Sequence, residues 1–311
     1  MLRPFILIAA AFALAVIPPF LPSYHLYLLE LVMVNSIAAI GLNLLTGNCG
    51  QISLSNGSFM AVGAYTTAIA MSHVGPFLAP ALVAAVVAAG LLGALLGFPA
   101  RRVSGLYLAL VTLGFLAVVD VVIEEFPDLT GGVRGLNVPR PSLGSAGVRA
   151  DLALYYVVAL ATGLCVFVAR NLLSTRLGRA FNAVRQSSFA AQALGIPVGR
   201  TKVIAFTIAA AFAGLSGGLL ALLVGFIDPT EFGISTSLRH ITFIVVGGLG
   251  SIPGSVVGAA VLTLLPEALR GAKEYGDLAY GAILLASLFF MPTGLVGLVA
   301  SARARRLQAA R

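Results

Sequence analysis

The sequence predicts an all-α polytopic membrane protein, and three observations carry that prediction. Of its 311 residues 59% are hydrophobic and only 10% are charged, against roughly 25% charged in a soluble domain. Several apolar runs reach the ~20 residues that a helix needs to cross a bilayer. The runs are continuous and do not alternate, which argues against strands, since an open sheet facing lipid would leave backbone groups unpaired.

Ten candidate segments follow in order, at 4–22, 24–46, 57–72, 77–98, 105–125, 152–170, 201–226, 237–249, 254–269 and 277–299. The first follows Arg3 and ends at Pro18, Pro19 and Pro22, a shape shared with a cleaved signal; an apolar run follows at once, so it counts as a span. The second and fifth carry Glu30 and Asp120, ionisable residues that are costly inside a span and often functional. Two segments begin after a break, GNCGQISLSNGS (47–58) and GGLGSIPGS (247–255), where glycines, serines and amides interrupt the apolar run. Unwound backbone is tolerated in a membrane only where protein or water satisfies it, as in transport pathways; a tight interfacial turn gives the same pattern. The matching placement of the breaks, early and late, hints at an internal repeat, although no convincing residue-by-residue match accompanies it.

Polar groups at the first break, Asn43, Gln51, Ser53, Ser55 and Asn56, are the candidate translocation pathway; any of them could equally cap a helix end. Elsewhere the pattern is one of close helix packing. Gly93 with Gly97, Gly214 with Gly218 and Gly254 with Gly258 repeat a GxxxG spacing. Gly214-Leu215-Ser216-Gly217-Gly218 also fits the GxSxG of a nucleophile elbow, but that motif needs a strand-to-helix turn and here sits inside an apolar run.

Charge supplies orientation and excludes some functions. The net charge is +8, with 19 Lys plus Arg against 11 Asp plus Glu, and the cations flank apolar runs. That is the positive-inside pattern, not a nucleic-acid surface. With both termini inside, Arg101 and Arg102, the stretch from Arg170 to Lys202 and the tail at 300–311 fall on the cytoplasmic side. The other side receives Glu124, Glu125, Asp128, Asp228 and Glu231, along with Arg134, Arg140, Arg149, Arg270 and Lys273. Cys49 and Cys165 stand alone, without metal spacing. His25, His73 and His240 form no paired motif. The GxxxxGK[ST] phosphate loop is absent, so ATP would have to be hydrolysed elsewhere; no cofactor is expected.

The longest cytoplasmic loop, 174–200, holds STRLGRAFNAVRQSSFAAQALGIPVGR. Phe181, Val184, Ser188, Ala191 and Leu194 give a modest apolar stripe at helical spacing, with Arg179, Arg185 and Gln186 on other faces and Gly195 and Pro197 as a stop. Such a helix suits another protein's groove, where Ala190 and Ala191 allow close approach, or an anionic lipid surface; on physics alone lipid is the simpler partner.

Family resemblance shifts that balance. FAAQALGI resembles the coupling loop of ABC importer permeases, which docks on the ATPase. GLNLLTGNCGQISLSNGSFMAVGAY (41–65), GLYLALVTLGF (105–115), LTGGVRGL (129–136), LGRAFNAVRQSSFAAQALGI (177–196), KVIAFTIAAAFAGLSGGLLA (202–221) and VVGGLGSIPGSVVGA (245–259) together resemble LivM-type permeases of branched-chain amino acid transporters. The resemblance implies one permease domain over 1–311, paired with a LivH-like permease, two ABC ATPase subunits and a substrate-binding protein. It implies Arg179, Phe181, Arg185, Gln186, Ala190, Ala191 and Gly195 as the ATPase-coupling residues. Related transporters carry urea, amides or aromatic acids. Family members usually have acids around Gln186 and Ser188; this chain has none there. A proton- or ion-coupled secondary transporter is the rival reading, resting on Glu30 and Asp120.

The topology is open to a direct test. In a background without Cys49 and Cys165, Ser187→Cys and Gly144→Cys should react with a membrane-impermeant thiol reagent from opposite sides, Ser187→Cys from the cytoplasm. Labelling from one side would show that the number of spans between them is wrong.

Overall fold

The computed structural model describes residues 18–139 and 150–268, with Gly281, Gly294, Leu295 and Gly297 besides. Most of the spans expected at 4–22 and 277–299, the tail at 300–311, and Arg140, Gly144, Arg149, Arg270 and Lys273 lie outside these residues. The other eight expected segments all fall on helices.

Helix α1, Ser23–Asn43, continues through a π-helical turn, Leu44–Asn48. After the first break come α2, Asn56–His73, α3, Leu78–Ala100, and α4, Leu106–Glu125. A two-residue strand β1, Leu136–Asn137, precedes α5, Ala150–Ser174. Two short helices follow, α6, Arg176–Gln186, and α7, Ser188–Ala193, and then the long α8, Val198–Val224. Strand β2, Phe226–Ile227, pairs antiparallel with β1, Leu136 opposite Ile227. Helices α9, Ile234–Gly247, and α10, Ile252–Ala268, flank the second break and bend by 119° across it.

Among the described residues five helices are long and apolar enough to cross a membrane: α1 with its π turn, α3, α4, α5 and α8. Counting the bent α9–α10 pair as one broken span gives six. Helix α2 falls outside that group for a compositional reason. Asn56, Ser58, Thr66, Thr67, Ser72 and His73 dilute its apolar character, and most of it is buried inside the protein, away from lipid.

The helix ends sort onto two sides. Ser23 Oγ donates to Asp151 at 3.3 Å, and Val138 N–H donates to the Gly225 carbonyl at 3.0 Å. Arg101 lies beside Gly199, and Arg185 beside Gly50 and Gly250, on the α6–α7 side. Successive helices therefore alternate in direction, as spans joined by short connections must.

Helix α8 is the hub, packed against α1, α2 and α3. Between apolar helices in an apolar solvent, burial drives little, and close backbone approach through small residues does the work instead. A Cβ added to Gly63 would lie 2.0 Å from the Gly214 carbonyl oxygen, and one on Gly217 would lie 1.9 Å from the Met60 carbonyl oxygen. Added at Gly93 it would meet Ala210 Cβ at 2.4 Å, and at Gly97 the Cα of Val203 at 2.8 Å. The expected GxxxG contacts are present: Gly93 with Gly97 and Gly214 with Gly218 meet at α8, while Gly254 with Gly258 packs on Gly247 of α9. Ser216 sits fully buried within α8 and donates to the Val34 carbonyl at 2.8 Å, so the GxSxG string is helix packing and no nucleophile.

Gly217→Leu should therefore be unusually damaging. Overpacking a core costs about 1–3 kcal/mol where side chains can give way; here the obstacle is backbone, so the loss should reach or exceed the upper end. Thermal unfolding in detergent should show a large drop or no folded protein. Gly163→Leu on α5, where an added Cβ meets nothing within 4 Å, should leave the midpoint unchanged.

Candidate functional site: the two crossed breaks and the helical hairpin beside them

Asn43, in the last turn of α1, joins the two breaks. Its Nδ2 donates to Ser255 Oγ at 2.7 Å and to the Ser251 carbonyl at 3.0 Å, with the Gly248 carbonyl at 3.4 Å. Its Oδ1 accepts from Gly250 N–H at 2.8 Å. The side chain is only 2% exposed, so four polar groups of the second break are matched in the interior by one amide. Asn48 adds a longer bond, Nδ2 to the Gly250 carbonyl at 3.4 Å. Gly47 must be glycine for the same reason: a Cβ there would lie 1.9 Å from Asn43 Oδ1 and 2.4 Å from Gly250 N.

The breaks resemble each other once they are seen side by side. Gly47, Gly50, Ile52 and Ser55 recur as Gly247, Gly250, Ile252 and Ser255. Gly50 and Gly250 both take left-handed backbone, φ +72° and +81°, where a Cβ would be strained. This GxxGxI pattern with a serine three residues on is the signal that a reading of each break alone misses.

The remaining pathway candidates cluster at the start of α2. Ser53 and Ser55 hydroxyls share a bond of 3.0 Å, and Thr112 Oγ1 of α4 accepts from Leu54 N–H at 3.0 Å. Gln51 Nε2 donates to the Cys49 carbonyl at 3.2 Å. Gln51 Oε1, Asn56 Nδ2 and Ser58 Oγ are buried with no protein partner. Gly57 N–H donates to Ser237 Oγ of α9 at 2.9 Å, so α9 touches this break too. Asn43 differs from its companions: its amide is spent on the second break and has nothing left for a solute. Glu30, the rival reading's best residue, is buried in α1 with Oε1 unpartnered, while Asp120 is half-buried.

The loop expected to hold one amphipathic helix over 180–195 holds two. Thr175 Oγ1 accepts from Leu177 N–H at 3.2 Å and starts α6. Ser187 is extended, φ −162°, ends α6, and starts α7 by accepting from Ala190 N–H at 3.2 Å. A serine at an N-cap competes well for that role, which is why the stripe breaks there. Gly195 at φ +80° ends the pair, as expected.

The break also changes which residues face outward. Phe181 and Ala191 are 0% and 1% exposed, packed with Val184 into the body of the protein. They cannot line a partner's groove as their spacing suggested, and Ala191→Trp would disturb this chain before any partner. Phe189 and Leu194, by contrast, stand 89% and 80% exposed. Arg179, Gln186, Ala190 and Gly195 are exposed as well. Arg185 is exposed too, but its guanidinium reaches the first break, where Nη1 donates to the Gly47 carbonyl.

Asn43→Ala should test the junction. It orphans the Gly250 N–H and leaves the Ser255 hydroxyl only its longer bond to the Ser251 carbonyl at 3.3 Å, and a buried unpaired group costs about 1–3 kcal/mol. Unfolding in detergent should report a loss of about 1–3 kcal/mol, whereas Asn171→Ala on the exposed side of α5 should stay within about 0.5 kcal/mol of wild type.

The family described as the permease component of branched-chain amino acid transport systems matches residues 24–288. The chain is similar to the high-affinity branched-chain amino acid transport system permease protein LivM of Escherichia coli K12, 34% identical over 93% of this chain and 74% of that protein. It is 28% identical to the LivH permease protein of the same organism, over 84% of this chain and 91% of LivH. Against BraD of Pseudomonas aeruginosa it is 27% identical over 89% of this chain and 98% of that protein. No solved structure matches the chain significantly. A multi-pass helical bundle with two broken segments, matched from Tyr24 almost to its end by one family, leaves a plain conclusion: this chain belongs to the branched-chain amino acid transport permease family, as its resemblance to LivM-type permeases led us to expect.

Proposed function

We propose that this chain is one of two permease subunits of an ATP-driven importer for branched-chain amino acids, seated in the bacterial cytoplasmic membrane with both termini inside. The observation that carries the reading is the similarity to LivM along nearly the whole chain, and the similarity to LivH supports a LivH-like subunit as its partner. A substrate-binding protein delivers the amino acid from outside. Two ABC ATPase subunits dock on the cytoplasmic side and hydrolyse the ATP.

The α6–α7 hairpin within 174–200 is the docking element. Its contact residues are not the buried Phe181 and Ala191 but the exposed Phe189 and Leu194, with Arg179, Gln186, Ala190 and Gly195 around them. Two large apolar side chains standing in water on a short capped helix suit a partner's groove, where burying them is favourable. A shallow basic depression lined by Arg101, Gln192, Ile196 and Arg200 opens beside α7 and would meet acidic groups on the ATPase. That polarity suits a chain that lacks acids of its own near Gln186 and Ser188.

Mechanistically, ATP closes the ATPase dimer, the hairpin moves with it, and the packed helices rock to expose the pathway to one side and then the other. Gln51, Ser53, Ser55 and Asn56 line that pathway, while Asn43 holds its two broken walls together. The unpaired polar atoms of Gln51 and Asn56 suit a solute that carries both an ammonium and a carboxylate.

Phe189→Glu combined with Leu194→Glu should abolish co-purification with the ATPase subunits while the chain still inserts and folds. Anchors of this kind are worth about 2 kcal/mol or more each, and ATP-dependent leucine uptake into proteoliposomes should fall with assembly. Retained co-purification would show that another surface docks the ATPase. Uptake driven by a pH gradient with no ATPase present would favour Glu30 and the secondary-transport reading.

A further inference from the structure

Arg185 touches both breaks at once. Its Nη1 donates to the Gly47 carbonyl at the end of α1. The same nitrogen lies where a Cβ on Gly250 would stand 2.9 Å away. Its backbone is wedged against Gly50, whose added Cβ would meet Arg185 Cα at 3.1 Å and Cγ at 3.2 Å. A side chain at Gly50 would press on Arg185 and would also be strained by the left-handed backbone there, φ +72°.

The chemistry of this contact is specific. The last carbonyls of a helix lack intrahelical donors and carry the negative end of its dipole, so a cation there is favoured. A guanidinium is always charged and offers several N–H donors in a rigid plane, whereas an ammonium is a point charge on a flexible stem. The other inward contacts of α6, Phe181 and Val184, are apolar and set no direction. Among the described residues Arg185 is the directional link between this helix and the bundle.

We propose that Arg185 is the strut through which displacement of the α6–α7 hairpin reaches both breaks, a positioning residue for energy coupling that touches no substrate. The proposal rests on the reading of this hairpin as the ATPase-docking element. When α6 shifts, the Gly47 carbonyl is drawn with it. Since Asn43 on the same turn holds Gly250 N–H, the Ser251 carbonyl and Ser255 Oγ, the second break follows. The two walls then move as one piece. Without the strut the hairpin can move and leave the breaks behind.

The test is the number of ATP molecules hydrolysed per leucine imported, measured on the full complex of this chain, its partner permease, the ATPases and the binding protein in proteoliposomes. In Arg185→Gln, assembly and ATP hydrolysis should persist while ATP consumed per leucine rises about tenfold or more, the scale of a coupling free energy between sites. Arg185→Lys, which keeps the charge but loses the fork, should lie between. Asn182→Ala, exposed on the same helix, should match wild type. An unchanged ratio in Arg185→Gln overturns the proposal in either form: uptake intact means the link is idle, and uptake and hydrolysis falling together mean the residue serves folding or docking. If the wild-type complex itself shows no ATP-dependent uptake, the importer reading fails, and the strut falls with it.

Discussion

Backbone polar groups inside a membrane must find partners within the protein, and the rest of this structure is arranged around the two places where that is hardest. At Gly47–Ser55 and Gly248–Ser251 helices end between packed helices, leaving N–H and C=O groups that need partners within the protein. The solution is reciprocal. The second break offers donors and acceptors, and Asn43 at the end of α1 satisfies Gly250, Ser251 and Ser255 together. Neither break is stable in this form without the other, so helices some two hundred positions apart in sequence have to be neighbours.

Bringing them together requires backbones closer than ordinary side chains allow, and glycine supplies that. Gly47 sits against Gly250, and Gly247 packs against Gly254 and Gly258. The same device runs along α8, where Gly214 and Gly217 press on Gly63 and Met60 of α2. Hydrophobic burial does little between apolar helices in lipid; dispersion at short range and the hydrogen bonds it permits do more. The small residues of this chain are therefore as directive as the large ones.

Much of this was legible in the sequence, and the limits have physical causes. Continuous apolar runs gave the spans, because length and hydropathy answer to bilayer thickness alone. The GxxxG spacings gave close packing, and the two interrupted runs were recognisable as breaks. The partner of Asn43 was not legible, since it lies 205 to 212 positions away and only tertiary structure pairs them. The hairpin misled in a different way. Phe181, Val184, Ser188, Ala191 and Leu194 keep helical spacing, but Ser187 prefers to cap, which turns the second half of the stripe to a new direction. Phe181, Val184 and Ala191 stay inside, and Leu194 is left in water. A capping preference of about 1 kcal/mol outweighed the continuity of a short helix.

The junction and the glycine contacts also differ in how they yield. Backbones in contact along α8 behave as a hard stop, since sliding one helix past another would drive carbonyl oxygens into Cα atoms. Hydrogen bonds between side chains and broken backbone yield gradually, and in membrane proteins each contributes only about 1 kcal/mol. A structure that must alternate between two arrangements needs both kinds of contact: rigid seams that define the moving bodies and polar joints that can exchange partners. Helices α2, α3 and α8 carry the rigid seams, and α9 and α10 are locked to each other in the same way. The joints lie where α1, α9 and α10 meet, and among the described residues a charged contact reaches them from α6. On the coupling proposed for Arg185, movement that starts at the hairpin is delivered to the softest polar part of the fold, past the part least able to deform.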